Sequence, residues 1–338
     1  EKMKTVEYQG TTDPCNNENG FVNAETQTAK VPIEYSSTTM CGLTPMSYGS
    51  CGGVCTWNYN HTSKLLSIND GTMTDFTETN QPEWQPQINN IEKVIITSTT
   101  NIGSNAFNGA TSLNSVELPT DMNKIGDNAF NGCGQLTTIT LPESLTTIGI
   151  NAFASTGLIQ IIIPSKVTNI GDSAFNSQSL TTIEFKGIKE PSSCSTSAFT
   201  TSVTEVKVPI EYGDNIFCGE IPRSDGNCGD GCTFKYYHNE DKIEITGGTM
   251  TDFTETTQPE WQPQMEQIKI VTVTTTSNIG SNAFNGAVLL NSVTLHETMT
   301  KIGDNAFNGC SKLTSISLPE SLKTIGTNAF TKVSISDL

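Results

Sequence analysis

IGSNAFNGATSLNSVELP, from Ile102 to Pro119, and IGDNAFNGCGQLTTITLP, from Ile125 to Pro142, are two spellings of one phrase set 23 residues apart. The opening of the phrase returns as IGINAF at Ile148, IGDSAF at Ile170, a worn CSTSAF at Cys194, and IGSNAF, IGDNAF and IGTNAF at Ile279, Ile302 and Ile325. A fixed period of this size marks a solenoid, in which each unit packs only on its neighbours. The fold class expected is therefore a β-rich repeat solenoid of short strands and short helical turns.

Within a unit the pattern L-x-x-I-x-L-P precedes I-G-x-x-A-F, as in LTTITLP and LTSISLP. Alternating Val116 and Leu118, or Ile139 and Leu141, read as one short strand with its inner side on a core. Strands are expected near 91–96, 113–118, 136–141, 158–163, 180–185 and 203–208, then near 268–273, 290–295 and 313–318. The Pro ends the strand, Gly126 and its equivalents allow a bend, and Ala129 with Phe130 returns to the core in a helical turn. Phe107, Phe130, Phe153, Phe175, Phe284, Phe307 and Phe330 are expected inside.

A longer period encloses the short one. GTMTDFTETNQPEWQPQ at Gly71 recurs at Gly248 with Thr257 in place of Asn80 as the single change, a shift of 177 residues, so the chain is a duplication. Residues 36–90 and 213–267 interrupt the repeat. CTWNYNHTSKLLSI and its counterpart CTFKYYHNEDKIEI read as β-hairpins, with Asn60 to Ser63 near one tip, and suit a cap over exposed strand edges. The layout expected is an array end over 1–35, a capping module over 36–90, an array over 91–212, a second module over 213–267 and a truncated array over 268–338. MKTVEYQG near the start matches LTTIEFKG from Leu180, and Ile335 and Leu338 match Leu158 and Ile161. Both ends thus fall inside an array, which suggests a segment of a longer tandem protein and sets weak end-to-end self-association against a monomer.

Lys and Arg number 18 against 35 Asp and Glu, for a formal charge of -17. No basic stripe exists to neutralise phosphates, so nucleic acid is not an expected partner. An anionic membrane surface is repelled for the same reason, and no run of 18 apolar residues offers direct insertion in this segment.

The L-x-x-I-x-L-P and I-G-x-x-A-F unit resembles the BspA-like leucine-rich repeat, and CGGVCTW, GTMTDF and PEW together resemble the module that precedes such arrays. The resemblance implies surface or secreted products of mucosal protozoa and bacteria that adhere to host proteins and to other cells. It carries no shared catalytic site and no cofactor.

Ten cysteines form two sets of five. Disulfides Cys15 with Cys41, Cys194 with Cys218, Cys51 with Cys55 and Cys228 with Cys232 are the leading expectation for a secreted module. Zinc is the alternative, although C-x3-C lacks the usual C-x2-C spacing. Cys133 and Cys310 stand where other repeats have Ala110 and Ala287, and read as buried free thiols. His61 and His238 sit at predicted hairpin tips, where solvation is the default, and His296 replaces a post-strand Pro. No nucleophile or metal motif surrounds them; SDGNCGDGC at Ser224 fails as a calcium loop because Tyr236 stands where a Glu is needed. No catalytic residue, metal or cofactor is expected. Asn60-His61-Thr62 is a candidate glycosylation sequon and supports a secreted or cell-surface location.

Outward strand positions are mostly polar: Ser115 and Glu117, Thr138 and Thr140, Thr182 and Glu184, Glu205 and Lys207. LIQIIIP departs by placing Ile162 outward, with Ile159 and Gln160 beside it. These three form a candidate hot spot, with charge at Glu184 and Glu205 setting partner preference. Trp84 and Trp261 are candidate exposed anchors, against the alternative that each tucks beneath the array. The leading function is extracellular adhesion or recognition of a host matrix or cell-surface protein. A structural surface-layer or spacer role stands behind it, and a glycan-binding module built on the aromatic loop stands third.

Overall fold

A computed structural model describes residues 6–15, 28–41 and 43–335. The chain forms two compact units, one of Glu1–Lys186 with Pro191–Thr204, the other of Gly187–Glu190 with Glu205–Leu338. The strand matches proposed for Met3 and Leu338 lie outside the described residues.

In the first unit, Val6–Glu7 and Thr28–Lys30 run parallel to Thr44–Gly52. Thr44–Gly52 then begins an antiparallel meander with Cys55–Asn60 and Leu65–Asn69, and the ladder returns to parallel pairing through Lys93–Ile96 and Ser115–Glu117. The module is therefore spliced into the repeat sheet and continues it, where the sequence suggested a hairpin laid over an edge. Leu65 pairs with Lys93 in parallel, so the last strand of the meander is itself a template for the first repeat. Its first strand escaped the sequence reading because TPMSYGSCG is rich in Gly and Ser.

Seven of the nine expected repeat strands form: Lys93–Ile96, Ser115–Glu117, Gln160–Ile163, Thr182–Phe185, Glu205–Lys207, Ile270–Val273 and Ser292–Thr294. The other two do not. Thr137–Leu141 and its counterpart 314–318 join no ladder, and in the first unit the sheet ends at Ser115–Glu117 on one side of the break and resumes at Gln160–Ile163 on the other. The stack survives because bonds on its other sides bridge the same repeats.

One of those sides is a ladder of two-residue strands, Asn101–Ile102, Lys124–Ile125, Thr147–Ile148, Asn169–Ile170 and Ser193–Cys194, all parallel. Sequence reading took these positions for a bend, since two residues are too few to show a period. Gly126 is needed here, because a Cβ would come within 2.6 Å of the Ser104 backbone nitrogen in the repeat before it.

The expected helical turn at Ala129 and Phe130 is not helical. Its amides alternate between their own turn, as Ala129 N to Gly126 O at 3.3 Å, and the next repeat, as Asn105 N to Asp127 O at 2.8 Å, Phe107 N to Ala129 O at 2.9 Å and Gly109 N to Asn131 O at 2.7 Å. The path requires left-handed backbone at Asn105, Asn128 and Asn151, with φ of 60°, 52° and 52°. Asn tolerates that region better than most residues, which accounts for the Asn of NAF.

Inside, Trp84, Phe107, Phe130, Phe153, Phe175 and Phe199 stack in sequence with centroids 5.3 to 5.9 Å apart. Ile91, Leu113, Leu136, Leu158 and Leu180 are buried in the same core. No repeat can bury its ring alone, so the stack is the cohesive element.

The second unit repeats the plan with Glu205–Lys207, Arg223–Asp230, Cys232–Tyr237, Lys242–Thr246, Ile270–Val273 and Ser292–Thr294, beside a ladder of Asn278–Ile279, Lys301–Ile302 and Thr324–Ile325. Trp261, Phe284, Phe307 and Phe330 stack at 5.5 to 5.6 Å. Phe330 is only half-buried, a departure from expectation: among the described residues its ring stacks on Phe307 and on no second ring.

Candidate functional site

Strand alternation decides which side chains the first unit offers. Along Gln160–Ile163 the pattern is exposed, buried, exposed, buried, with Ile161 and Ile163 in the core. Ile162 is 46 % exposed, as its outward placement requires, and Ile159 beside it is 58 % exposed, which is costly for apolar side chains. Gln160 pairs with Thr182 and Ile162 with Glu184 on the adjacent strand. On the opposite flank, where Thr137–Leu141 leaves the ladder, a groove of about 500 Å³ opens. Ser115, Thr138, Thr140, Gln160, Ile162 and Lys186 line it. The site thus combines an apolar wall, a polar floor, the cation of Lys186 and the carboxylate of Glu143 in a relief that a continuous sheet would lack.

Charge beside the groove is largely internally compensated. Glu184 bonds Lys186. Glu205, expected to act on the same face, belongs to the second unit and is held by Arg223 and, at 3.4 Å, by Lys207. Asp225 completes that cluster, 3.1 Å from Arg223 and 3.3 Å from Lys207.

Trp84 and Trp261 are not exposed anchors. Both are 0 % exposed, each indole nitrogen donates at 2.9 Å to the carbonyl of Ala106 or Ala283, and each ring begins a phenylalanine stack. This is the tucked alternative that the sequence also offered, with the one large apolar ring of a polar loop turned under the array.

The histidine expectation also fails. His61 and His238 are buried, and Nε2 of each lies 2.7 Å from the hydroxyl of Ser47 or Ser224. Burial pushes both imidazoles down to a pKa of about 4. Ser47 is itself buried and donates to the Val31 carbonyl at 3.0 Å, so the Ser–His pair is part of the hydrogen-bonded interior of the meander. His296 is half-buried and contacts the Thr298 hydroxyl at 2.8 Å.

Cys15–Cys41, Cys51–Cys55 and Cys228–Cys232 are disulfides, with Cα atoms 5.1, 5.1 and 5.0 Å apart. Cys194 and Cys218 are disulfide-bonded as well. Oxidised sulfurs cannot supply thiolates, so the zinc alternative is set aside. The C-x3-C bridges close β-bulges, at Ser50 to Gly52 and at Asn227 to Gly229, where the hairpin register shifts. Asp13 lies beside Cys15 and Cys41, and its carboxylate accepts their backbone amides at 2.9 and 3.3 Å. Cys133 and Cys310 are free and buried against the Phe107 and Phe284 carbonyls, and burial pushes both thiols up to about 12. Asn60 is half-buried, and its Oδ1 accepts from the amides of Thr62 and Ser63 at 2.9 and 3.0 Å to close the hairpin turn.

No helix among the described residues is long and apolar enough to cross a membrane. No curated protein sequence matches the chain. Among solved structures, a leucine-rich repeat protein from Eubacterium ventriosum is 18 % identical, with 87 % of this chain and 96 % of that one covered and a TM-score of 0.35. One from Bacteroides ovatus is 18 % identical over 82 % and 90 % of the two chains at 0.31. A leucine-rich cell surface protein from Faecalibacterium prausnitzii is 17 % identical over 85 % and 94 % at 0.22. Residues 85–206 and 263–338 match the BspA type leucine rich repeat region in six copies, more than half of the sequence. The chain belongs to the BspA-type leucine-rich repeat family.

Proposed function

We propose that this chain is an extracellular or cell-surface recognition protein that binds a host matrix or cell-surface protein through the strand face of its first unit, without catalysis. The observation that carries the reading is the exposure of Ile159 and Ile162 beside the groove left by Thr137–Leu141. A stacked scaffold holds that face rigid, so docking forfeits little conformational entropy. Family membership and the disulfides support an oxidising location. The charge of -17 disfavours nucleic acid and anionic lipid as partners.

The test is adhesion of the intact chain to immobilised matrix proteins and to epithelial cells, against an Ile162→Lys variant. Because Ile162 is outward, the variant is expected to keep its circular dichroism spectrum and lose at least about tenfold in affinity. Equal binding by both proteins moves the site off this face, and binding by neither favours a spacer role.

A further inference from the structure

The module of the first unit holds a second cavity, of about 460 Å³, distinct from the strand-face groove. Tyr8, Lys30, Glu34, Tyr48, Trp57 and Glu83 line it. Tyr48 is 51 % exposed although its strand alternates with buried Ser47, so a large aromatic ring is presented to solvent at the wall of a pocket. Trp57 pairs with Gly49 on the adjacent strand and is 3 % exposed. Its indole nitrogen donates to Glu83 Oε2 at 3.2 Å, and the Ser50 amide donates to the same oxygen at 3.1 Å. Glu83 is therefore held in place, and no donor among the described residues reaches its Oε1. Lys30 pairs with Glu7 at 3.3 Å at the rim.

We infer that this cavity is a binding site for a neutral or amino-substituted oligosaccharide. A pyranose ring presents C–H bonds on one face, which pack on an aromatic ring such as Tyr48, and hydroxyls around its edge, which donate to anchored carboxylates such as Glu83. The volume lies in the range of small-ligand pockets. Glu7, Glu34 and Glu83 outnumber Lys30, so an acidic sugar meets repulsion.

The duplication supplies an internal control. Under the 177-residue shift Tyr48 corresponds to Asp225, Trp57 to Phe234 and Met46 to Arg223, while Glu83 is retained as Glu260, which accepts from the Asn227 amide at 3.2 Å. The second module keeps the scaffold, yet replaces the exposed aromatic ring with the ion cluster of Arg223, Asp225 and Lys207. Its surface is filled by its own charges, and the sugar site belongs to the first copy alone.

This inference is independent of the proposed protein partner. N-acetyllactosamine and chitotriose, with 3′-sialyllactose as the acidic control, are titrated by saturation-transfer NMR into the full chain, its Tyr48→Asp and Tyr48→Phe variants, and Ile162→Lys. Asp already occupies the equivalent position in the second copy, so the first variant is expected to fold. The expected result is saturation transfer from a neutral sugar that falls at least about tenfold in Tyr48→Asp, persists in Tyr48→Phe and Ile162→Lys, and is weaker for the sialylated control. Absence of binding by both neutral sugars, or equal binding by wild type and Tyr48→Asp, overturns the assignment.

Discussion

His61 Nε2 lies 2.7 Å from the Ser47 hydroxyl, and His238 repeats the contact with Ser224 at the same distance. Each ring also stands edge-on to two tyrosines, Tyr35 and Tyr59 for His61, Tyr212 and Tyr236 for His238. Burial raises those tyrosines too, Tyr35 and Tyr59 to about 12, so they remain neutral and give a protonated ring no counter-charge. Asp241 is the acidic group that acts on His238, and it only partly offsets the burial. The imidazoles are therefore structural pins for the meander, stable only when neutral.

A pH dependence follows. The folded pKa of about 4 lies below the ordinary 6.5, so between those values the unfolded chain binds more protons than the folded one. The stabilisation from these two groups is complete above 6.5 and is lost as pH falls toward about 4. Thermal midpoints are expected to fall through that window, and His61→Gln with His238→Gln is expected to flatten the slope at a lower starting stability. A double variant with an unchanged slope assigns the acid sensitivity to other groups.

The ring stack predicts graded costs. Phe130 is fully buried between Phe107 and Phe153, and Phe130→Ala is expected to cost about 3–5 kcal/mol in chemical denaturation. Phe330→Ala, at a half-buried site with one ring neighbour among the described residues, is expected to cost less. Equal losses at the two positions contradict the stack as the source of cohesion.

Trp84→Phe retains most of the apolar surface and deletes the bond to the Ala106 carbonyl, leaving a buried acceptor unpaired. A loss of roughly 1–3 kcal/mol is expected, with adhesion unchanged in the residual folded protein. Reduced adhesion at full folding would return Trp84 to the binding surface.

Thiol accounting separates the cysteines. Eight are disulfide-bonded and two are free and buried. A thiol reagent applied to the native chain is expected to label none, and after denaturation without reductant to label Cys133 and Cys310 only. Labelling of either in the native state contradicts the raised thiol pKa and the contact with the Phe107 or Phe284 carbonyl.

The period of the IGxNAF phrase, the duplication, the strand positions at Lys93, Ser115, Gln160 and Thr182, and the outward aspect of Ile162 were all legible in the amino-acid order. They are so because a stacked repeat makes every unit's burial pattern a local property, copied along one axis. Features that depend on what a neighbouring repeat supplies were not legible. Asn105 and Phe107 look like a helical turn until the next repeat's Asp127 and Ala129 carbonyls accept their amides. His61 looks solvated in a polar tip until Tyr35 and Ser47 arrive from elsewhere in the chain to enclose it. For Trp84 the sequence leaves an exposed anchor and a ring tucked beneath the array both open, and Ala106 and Phe107 decide for the second by taking its nitrogen and its face. The break at Thr137–Leu141 belongs to the same class, since alternation in LTTITL specifies an inner and an outer side but not the distance to the adjacent strand. Periodicity decided which side chains face inward; the tertiary packing decided which partners they meet, and so where the groove, the pocket and the buried histidines lie.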